Sequence, residues 1–183
     1  MMARLFALIL LILLSPLFLV VGVLILLQDG APIFFVQKRV GVNYSFFSMY
    51  KFRSMKKDTP NVATHLLENP DKYVLSIGRL LRKLSLDELP NLINIVRGEM
   101  VFVGPRPALY NQEDLMALRG AAGVDALMPG ITGWAQINGR DEISLEAKVA
   151  LEKYYLDHQS LGMDFKIILG TFFQVLRPKG VTH

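Results

Sequence analysis

An uncharged apolar stretch near the N-terminus constrains this chain most. No charged residue lies between Arg4 and Asp29, and residues 5–27 are apolar or small except for Ser15-Pro16 at their centre. An apolar run of this length is typical of a membrane segment. A signal peptide would have a shorter apolar core followed by a small-x-small cleavage site. The rest of the chain is too small to hide the run in a soluble core, so we predict a membrane segment over residues 1–28.

The proline in the middle of this segment leaves two shapes open. Pro16 lacks a backbone N–H and its ring clashes with the preceding helical turn, so a bend is expected. The hydroxyl of Ser15 can bond a freed carbonyl. Residues 5–27 would reach about 35 Å as a helix, enough to cross the hydrocarbon core. The segment could span with a bend, or enter and return on one side, and the charges at Arg4 and Lys38-Arg39 do not distinguish these shapes.

The rest of the chain, residues 29–183, predicts a single domain without repeats. The absence of cysteine excludes disulfides, cysteine-based metal sites and a cysteine nucleophile. The net charge is +4, and acidic residues are mixed with lysine and arginine. That balance suits an anionic membrane surface or a phosphorylated ligand better than a nucleic acid groove.

The spacing of apolar residues predicts an α/β fold of the α+β type, mostly helical with a short β-hairpin. Aromatic and β-branched runs flank the turn residues 41–44, which indicates a hairpin within residues 32–52. A short basic helix is expected over residues 78–84, and its amphipathic pattern fits either a membrane surface or the cover of the core.

Further elements are predicted in the C-terminal half. A strand-like run occupies residues 100–103, and helices are expected over 111–119, over 145–156 with Ser144 as the cap, and over 163–176, ending before Pro178. One side of the last helix carries large apolar residues: Phe165, Ile168, Leu169, Phe172 and Leu176. Phe165, Phe172 and Phe173 could contact the core, a membrane or a second subunit, and of these we expect the core.

The adjacent carboxylates Asp87 and Glu88 have two interpretations. Ser85 to Glu88 fits a capping box, in which Ser85 precedes a helix and Glu88 is its third residue. Alternatively, one carboxylate could bind a hard divalent cation such as Mg²⁺ while the other attacks phosphorus as a nucleophile. This segment alone leaves both interpretations open.

Basic and glycine-rich segments favour a phosphorylated ligand. Basic groups stand out in the segments Lys51-Phe52-Arg53 and Arg82-Lys83 and at Arg106. Arg106 lies between two prolines that fix the backbone on either side. A rigid arginine is suited to bidentate binding of phosphate. Residues 128–140 are too rich in glycine and proline for one regular element. They carry polar side chains suited to a phosphorylated ligand, namely Thr132, Gln136, Asn138 and Arg140.

Short motifs follow one another along the chain in a specific order and spacing. They are Ser15-Pro16, PIFFVQKRVG (32–41), KFRSM (51–55), LRKLSLDELPNL (81–92), GEM (98–100), GPRP (104–107), PGITG (129–133), QINGR (136–140), Tyr154-Tyr155 and DFK (164–166). By these motifs the chain resembles the bacterial sugar transferases of the small monotopic phosphoglycosyl transferase superfamily, the PglC-like enzymes. The resemblance covers nearly the whole chain.

The resemblance implies an enzyme that moves a sugar 1-phosphate from a UDP-sugar to undecaprenyl phosphate and releases UMP, the first membrane step of glycoconjugate biosynthesis. Asp87 would form a covalent aspartyl-phosphosugar, and Glu88 would ligate Mg²⁺. The phosphate-binding residues would be Lys51, Arg82 and Arg106, and the further substrate contacts would be Gln136, Asn138 and Arg140.

The resemblance also implies a topology. The Ser15-Pro16 motif would make the membrane helix re-entrant, with both ends in the cytoplasm. The domain of residues 29–183 would then sit on the cytoplasmic face of the bacterial inner membrane, held also by interfacial amphipathic helices. Membrane lipids are expected partners, nucleic acid is not, and a homodimer is left open.

Three positions depart from the family pattern. Ala7 stands where an acidic residue is often found, Met128 stands where arginine often precedes PGITG, and Glu152 stands where aspartate is often found before the Tyr-Tyr pair. These departures concern individual contacts and leave the Asp87–Glu88 pair intact.

Overall fold

The structure, a computed structural model, describes residues 1–60, 69–139 and 143–176. The helices in these ranges are α1 (Met2–Leu13), α2 (Ser15–Asp29), α3 (Pro70–Tyr73), α4 (Ser76–Lys83), α5 (Asn91–Arg97), α6 (Glu113–Ala122), α7 (Trp134–Asn138), α8 (Leu145–Asp157) and α9 (Leu161–Leu176). The strands are β1 (Phe34–Val40), β2 (Phe46–Phe52), β3 (Val101–Val103) and β4 (Gly130–Thr132). The described chain is thus mostly helical with small sheets, as predicted.

The apolar N-terminal stretch forms two helices, α1 and α2, with an angle of 60° between them. The Ser15 hydroxyl donates a 2.7 Å hydrogen bond to the carbonyl of Ile12. Pro16 lies in the first turn of α2, where a missing N–H leaves no helical bond unmade. In the described ranges no single helix has the length and apolar character to cross a bilayer, although the bent pair taken together does. The bend falls at the predicted position.

Both N-terminal helices pack on the rest of the molecule. Ala7 of α1 is fully buried in a cluster with Leu92 and Ile95 of α5. Ile25 of α2 is fully buried in a second cluster with Phe52 of β2. An acidic side chain in place of Ala7 would be placed in this apolar cluster.

The other faces of the helix pair expose a large apolar surface. The exposed side chains are Leu5, Phe6, Leu8, Ile9, Ile12, Leu13, Leu19, Val20, Val23, Leu24, Leu26 and Leu27. So many exposed apolar side chains on one helix pair are typical of a surface that contacts a membrane or a protein partner.

Helix α5 packs on the β1–β2 hairpin. The strands are antiparallel, with Phe35 opposite Lys51. Fully buried Asn94 ties α5 to β2: its amide nitrogen donates to the carbonyl of Ser48 (2.7 Å), and its amide oxygen accepts from the backbone N–H of Tyr50 (3.2 Å). This bonding fixes the middle of α5 against β2, the strand that carries Lys51.

The parallel strands β3 and β4 hold the segment that follows β3. The backbone N–H of Gly104 donates to the carbonyl of Thr132 at 2.8 Å. A Cβ on Gly104 would lie 2.3 Å from the carbonyl oxygen of Met128, so a side chain does not fit here. The glycine-rich region thus divides into β4 and α7, with Gly104 packed against the start of β4.

Phe165, Phe172 and Phe173 of α9 face away from the core, so the expectation of core contact was wrong. Phe165 and Phe172 are 67% and 58% exposed, whereas Ile167 is fully buried. The buried side of α9 includes Thr171, bonded to Thr132 (2.6 Å), and Gln174, bonded to the carbonyl of Ile137 (2.7 Å). The core-facing side therefore carries polar residues that pattern analysis reads as solvent-exposed. Pro178, the predicted stop, lies outside the described residues.

Candidate active site

Asp87 and Glu88 lie on a 3-10 turn, Leu86–Glu88, between α4 and α5. Ser85 before this turn has a left-handed backbone (φ 55°, ψ 22°), and its side chain makes no capping hydrogen bond to a described residue. A capping serine needs an extended backbone to aim its oxygen at the helix N-terminus. The capping-box interpretation is therefore wrong, and the reason for the two carboxylates must lie elsewhere.

Glu88 is held by two cations from distant parts of the chain. Its Oε1 accepts a 2.7 Å hydrogen bond from Nζ of Lys51 and a 3.0 Å bond from Nη2 of Arg106. The side chains of Lys51 and Glu88 are only 16% and 18% exposed. Burial alone would raise the pKa of Glu88, but Arg106 and then Lys51 outweigh it and hold that pKa well below the usual range. Glu88 is ionised at neutral pH.

Asp87 has a different setting, although it is the next residue. Burial, and after it the charge of Glu88, raise the pKa of Asp87, and the charges of Lys51 and Arg82 only partly oppose this. Within the described ranges Asp87 takes part in no salt bridge. A carboxylate that is poorly solvated and not neutralised by a bonded cation is more basic than its paired neighbour, which suits a nucleophile.

Arg82 reaches this site from α4. Its Nε donates to the hydroxyl of Ser54 at 3.1 Å. A Cβ on Gly78 would lie 2.1 Å from the carbonyl oxygen of Ser54, so glycine allows α4 to pack directly on the segment after β2. This close approach places Arg82 where its charge acts on Asp87. The predicted basic residues Lys51, Arg82 and Arg106 are thus brought to the two carboxylates.

The predicted polar contacts Gln136 and Asn138 make no hydrogen bond to the two carboxylates in the described ranges. Asn138 is exposed and donates to the carbonyl of Trp134 at 2.8 Å. The amide atoms of Gln136 are buried and have no hydrogen-bond partner among the described residues. Gln136 does lie near the Arg106 loop, because a Cβ on Gly133 would meet both Gln136 and the carbonyl of Gly104. Arg140 lies outside the described residues.

Two arginines near the site, buried Arg119 and half-buried Arg39, were missed by the sequence reasoning. Nη1 of Arg39 and Nη2 of Arg119 contact the backbone of the loop that carries Arg106. Burial, and after it the charge of Arg106, lower the pKa of Arg39 to about 10, while Glu88 opposes this. The alternation of side chains along β1 could have placed Arg39 on the Lys51 face of the hairpin, but no local signal pointed to Arg119.

The sequence model of the bacterial sugar transferase family matches residues 1–178. This chain belongs to the bacterial sugar transferase family. The resemblance predicted from the motifs is confirmed, and the family match includes both the N-terminal helix pair and the carboxylate site.

Relatives of this bacterial sugar transferase differ in length. The sugar transferase EpsL of Bacillus subtilis is 43% identical over 85% of this chain and 75% of its own length. The exopolysaccharide production protein ExoY of Rhizobium meliloti is 39% identical over 93% of this chain and 81% of its own length. The UDP-glucose:undecaprenyl-phosphate glucose-1-phosphate transferase of Escherichia coli is 36% identical over 92% of this chain, which spans only 38% of that longer protein.

Proposed function

We propose that this protein is a phosphoglycosyl transferase that moves a sugar 1-phosphate from a UDP-sugar to undecaprenyl phosphate, giving undecaprenyl diphosphate-sugar and UMP. The observation that carries the proposal is the contrast between two adjacent carboxylates. Glu88 is ionised between Lys51 and Arg106, whereas Asp87 is poorly solvated and outside the salt bridges of the described chain. This contrast suits one carboxylate for binding and the other for attack.

The names of relatives support this reaction class. The E. coli relative is named for glucose-1-phosphate transfer from UDP-glucose to undecaprenyl phosphate. A relative from Komagataeibacter xylinus, 40% identical over 88% of this chain, is named undecaprenyl-phosphate glucose phosphotransferase. Others are named for galactose and for N-acetylgalactosamine. Transfer to the same lipid phosphate is common to these names, whereas the sugar differs, so we propose the reaction without choosing the sugar.

The proposed chemistry consists of two displacements at one phosphorus atom. A carboxylate oxygen of Asp87 attacks the β-phosphorus of the UDP-sugar, and the bond from that phosphorus to the bridging oxygen breaks. UMP leaves with the bridging oxygen and its electron pair, while the sugar phosphate stays on Asp87 as an acyl phosphate. A phosphate oxygen of undecaprenyl phosphate then attacks the same phosphorus and releases the Asp87 carboxylate. The atoms balance without an oxidant or a further reactant.

The residues at this site fit Mg²⁺. Glu88 is ionised and offers oxygen, the ligand atom that Mg²⁺ prefers, and Mg²⁺ is commonly held by one or two carboxylates together with substrate phosphates. The described ranges contain no group of three or more acidic or histidine side chains that could hold a metal ion by themselves, so substrate oxygens would supply the remaining ligands. We propose Glu88 as the protein ligand. When bound, the ion neutralises diphosphate charge.

Lys51, Arg82 and Arg106 are proposed to bind phosphate oxygens. Lys51 and Arg106 contact one oxygen of Glu88, so both cations lie beside the nucleophile. Burial lowers the pKa of Lys51, and the charge of Glu88 counteracts this. Further negative charge, such as that of a phosphate, would therefore favour the protonated ammonium. Gln136, Asn138 and Arg140 are proposed as further substrate contacts, of which Gln136 has buried amide atoms without a described partner.

The N-terminal pair is proposed to be re-entrant in the cytoplasmic membrane, with the domain on the cytoplasmic face. Both ends of the pair meet the same domain: Arg4 lies against Gly98, and Asp29 forms a 3.3 Å ion pair with Arg53. A spanning helix would instead carry its first residues to the opposite side. The exposed apolar side of α9 supports membrane contact by a second element. A lipid acceptor and a polar UDP-sugar can then meet at one interface.

The proposal is tested by incubating the purified protein with Mg²⁺, undecaprenyl phosphate and each of several UDP-sugars, and measuring UMP and lipid-linked sugar. We expect both products with at least one UDP-sugar, and neither product with the Asp87→Asn variant. With the UDP-sugar alone, the covalent step predicts up to one equivalent of UMP per protein. Release of inorganic phosphate without a lipid-linked sugar would indicate a hydrolase and contradict the proposal.

A further inference from the structure

The loop from Pro105 to Pro107 is held by an unusual set of hydrogen bonds. Proline has no backbone N–H, so two of these three residues can be bonded only through their carbonyl oxygens. The carbonyl of Pro105 accepts from the backbone N–H of Gly130 at 2.9 Å. The carbonyls of Arg106 and Pro107 each accept a 2.9 Å bond from a guanidinium, that of Arg119 and that of Arg39.

The donors come from three separate elements of the fold. Gly130 begins β4, Arg119 lies in α6 and Arg39 lies in β1. Consecutive carbonyls are thus fixed from three directions, and the side chain between them is Arg106, which contacts Glu88. The prolines restrict φ at two positions, and the guanidiniums restrict the rotation that the prolines leave free.

Each guanidinium is itself fixed by a second partner. Arg119 Nε donates to Oε2 of Glu152 at 2.8 Å and its Nη2 contacts Oε1 at 2.5 Å, and the two side chains are 9% and 2% exposed. Nη2 of Arg39 donates to the side-chain oxygen of Gln37 at 2.6 Å. Glu152, noted above as a departure from the family pattern, therefore holds the guanidinium that bonds the Arg106 carbonyl.

A guanidinium that bonds a buried carbonyl is itself removed from water, which costs free energy. Arg39 is half-buried beside Arg106, and its burial, and after it the like charge of Arg106, lower the pKa of Arg39. A neutral side chain could bond the same carbonyl without that repulsion. Charge-assisted hydrogen bonds are shorter and stronger than neutral ones, so two guanidiniums give a stiffer loop and at the same time a more positive site.

We infer that Arg39 and Arg119 are positioning residues, which fix the backbone of Pro105–Pro107 and thereby set the reach of the Arg106 side chain to Glu88 and to substrate phosphate. Glu152 acts through Arg119. The inference rests on the proposed function for the identity of the phosphate, and it adds residues that act without touching the substrate.

The sharpest variant replaces the Arg119–Glu152 pair by apolar side chains of similar size, Arg119→Met with Glu152→Met. Replacing both members of a buried pair by well-packed apolar residues is often neutral for stability, so the fold is kept while the bond to the Arg106 carbonyl is lost. Arg39→Met removes the second bond. The matched controls are Lys153→Met with Asp157→Met, an exposed ion pair on the same helix α8, and Lys38→Met, which neighbours Arg39 in β1.

Three quantities are measured for each variant: the unfolding temperature, hydrogen exchange of the amides of residues 104–109, and kcat and KM for UMP release. For Arg119→Met/Glu152→Met and for Arg39→Met we expect an unchanged unfolding temperature, faster exchange in the loop and a loss of kcat/KM of about 10- to 100-fold, as for a misplaced catalytic contact. Arg119→Lys, which keeps a charged donor, should retain most of the wild-type kcat/KM that Arg119→Met/Glu152→Met loses. The controls should stay within about twofold of the wild type.

The outcomes separate this inference from the proposed function. Faster loop exchange with unchanged kcat/KM would show that the bonds are only structural and would overturn the inference. An activity loss that follows the unfolding temperature, with no recovery in Arg119→Lys, would also overturn it. A wild type that releases no UMP would defeat the proposed function. In that case the positioning role is tested by measuring the affinity of wild type and variants for inorganic diphosphate. Equal affinities would overturn the inference.

Discussion

The ammonium group of Lys51 donates a 2.7 Å hydrogen bond to the carboxylate of Glu88, 37 positions further along the chain. The two residues have different predicted tasks, phosphate binding for Lys51 and metal binding for Glu88. Their contact, shared with Arg106, neutralises charges that are largely removed from water. The site is therefore preorganised by its own charges, and a bound diphosphate would compete with Glu88 for the same cations.

Replacing Glu88 by Gln should destabilise the fold, because Lys51 loses its hydrogen-bonded carboxylate while staying largely buried. Both side chains are partly exposed, so we expect a loss of about 2 kcal/mol in the free energy of unfolding, less than for a fully buried pair. Denaturant unfolding in detergent measures it. The double variant Glu88→Gln with Lys51→Met should regain most of the lost stability. If it is as unstable as Glu88→Gln alone, the unpaired ammonium of Lys51 is not the cause of the loss.

At neutral pH the wild type, with Asp87, should be less stable than the Asp87→Asn variant. Folding raises the pKa of Asp87, chiefly by burial. The stability linked to such a group is fully present below its unfolded pKa and is lost as the pH rises through the folded value. Asp87→Asn should therefore unfold at an equal or higher temperature than the wild type at neutral pH, and the difference should shrink on acidification.

Thermal scans from about pH 3, below the ordinary aspartate pKa, up to neutral pH test this in EDTA so that metal binding does not contribute. The same variant should release no UMP. A lower unfolding temperature than that of the wild type at neutral pH would contradict the inferred cost of the ionised carboxylate.

Short-range patterns in the sequence predicted local structure well. The hairpin expected within residues 32–52 is observed as β1 and β2, and the helix expected over 145–156 is α8. Ser144 caps α8 as predicted, with its hydroxyl accepting from the backbone N–H of Ala147 at 3.2 Å. Periodicity and capping depend on neighbouring residues alone, which is why they can be read from the sequence.

Relations that depend on tertiary structure were not accessible in this way. The sequence showed that Lys51, Glu88 and Arg106 were unusual, but their convergence on one oxygen follows from packing, including the bonds of Asn94 between α5 and β2. The capping box at Ser85 was wrong because the backbone there is left-handed. A motif of four residues does not specify that dihedral.

Truncating a side chain should cost much more stability on the buried side of α9 than on its exposed side. Ile167 is fully buried, so Ile167→Ala should cost about 2–4 kcal/mol of stability through lost burial and a cavity. Phe172 is 58% exposed, so Phe172→Ser should change stability by less than about 0.5 kcal/mol. If this side of α9 contacts lipid, Phe172→Ser should instead weaken binding to phospholipid vesicles. Unfolding and vesicle flotation are measured side by side, and a large stability loss for Phe172→Ser would place this residue in a protein contact.

Straightening the N-terminal pair should change its topology. Ser15 and Pro16 lie at a 60° bend, and both helices pack on the domain, with Ala7 and Ile25 fully buried. Ser15→Ala with Pro16→Leu restores a good helix former and removes the hydroxyl bonded to Ile12, which favours one continuous helix. A continuous helix long enough to span would carry residue 2 across the bilayer and pull Ala7 from its contact.

The natural absence of cysteine makes this measurable with one introduced thiol, Met2→Cys. In the wild-type background an impermeant maleimide should label it only after the inner membrane is opened, whereas in the Ala-Leu background intact spheroplasts should be labelled. Leu19→Ala with Val20→Leu, at exposed positions of α2 beyond the bend, is the matched control and should behave as the wild type. Asp58→Cys, exposed on the domain, reports the cytoplasmic side. Labelling of Met2→Cys from outside in the wild-type background would show that the helix pair spans the membrane, because a re-entrant pair keeps Arg4 beside Gly98 on the domain side.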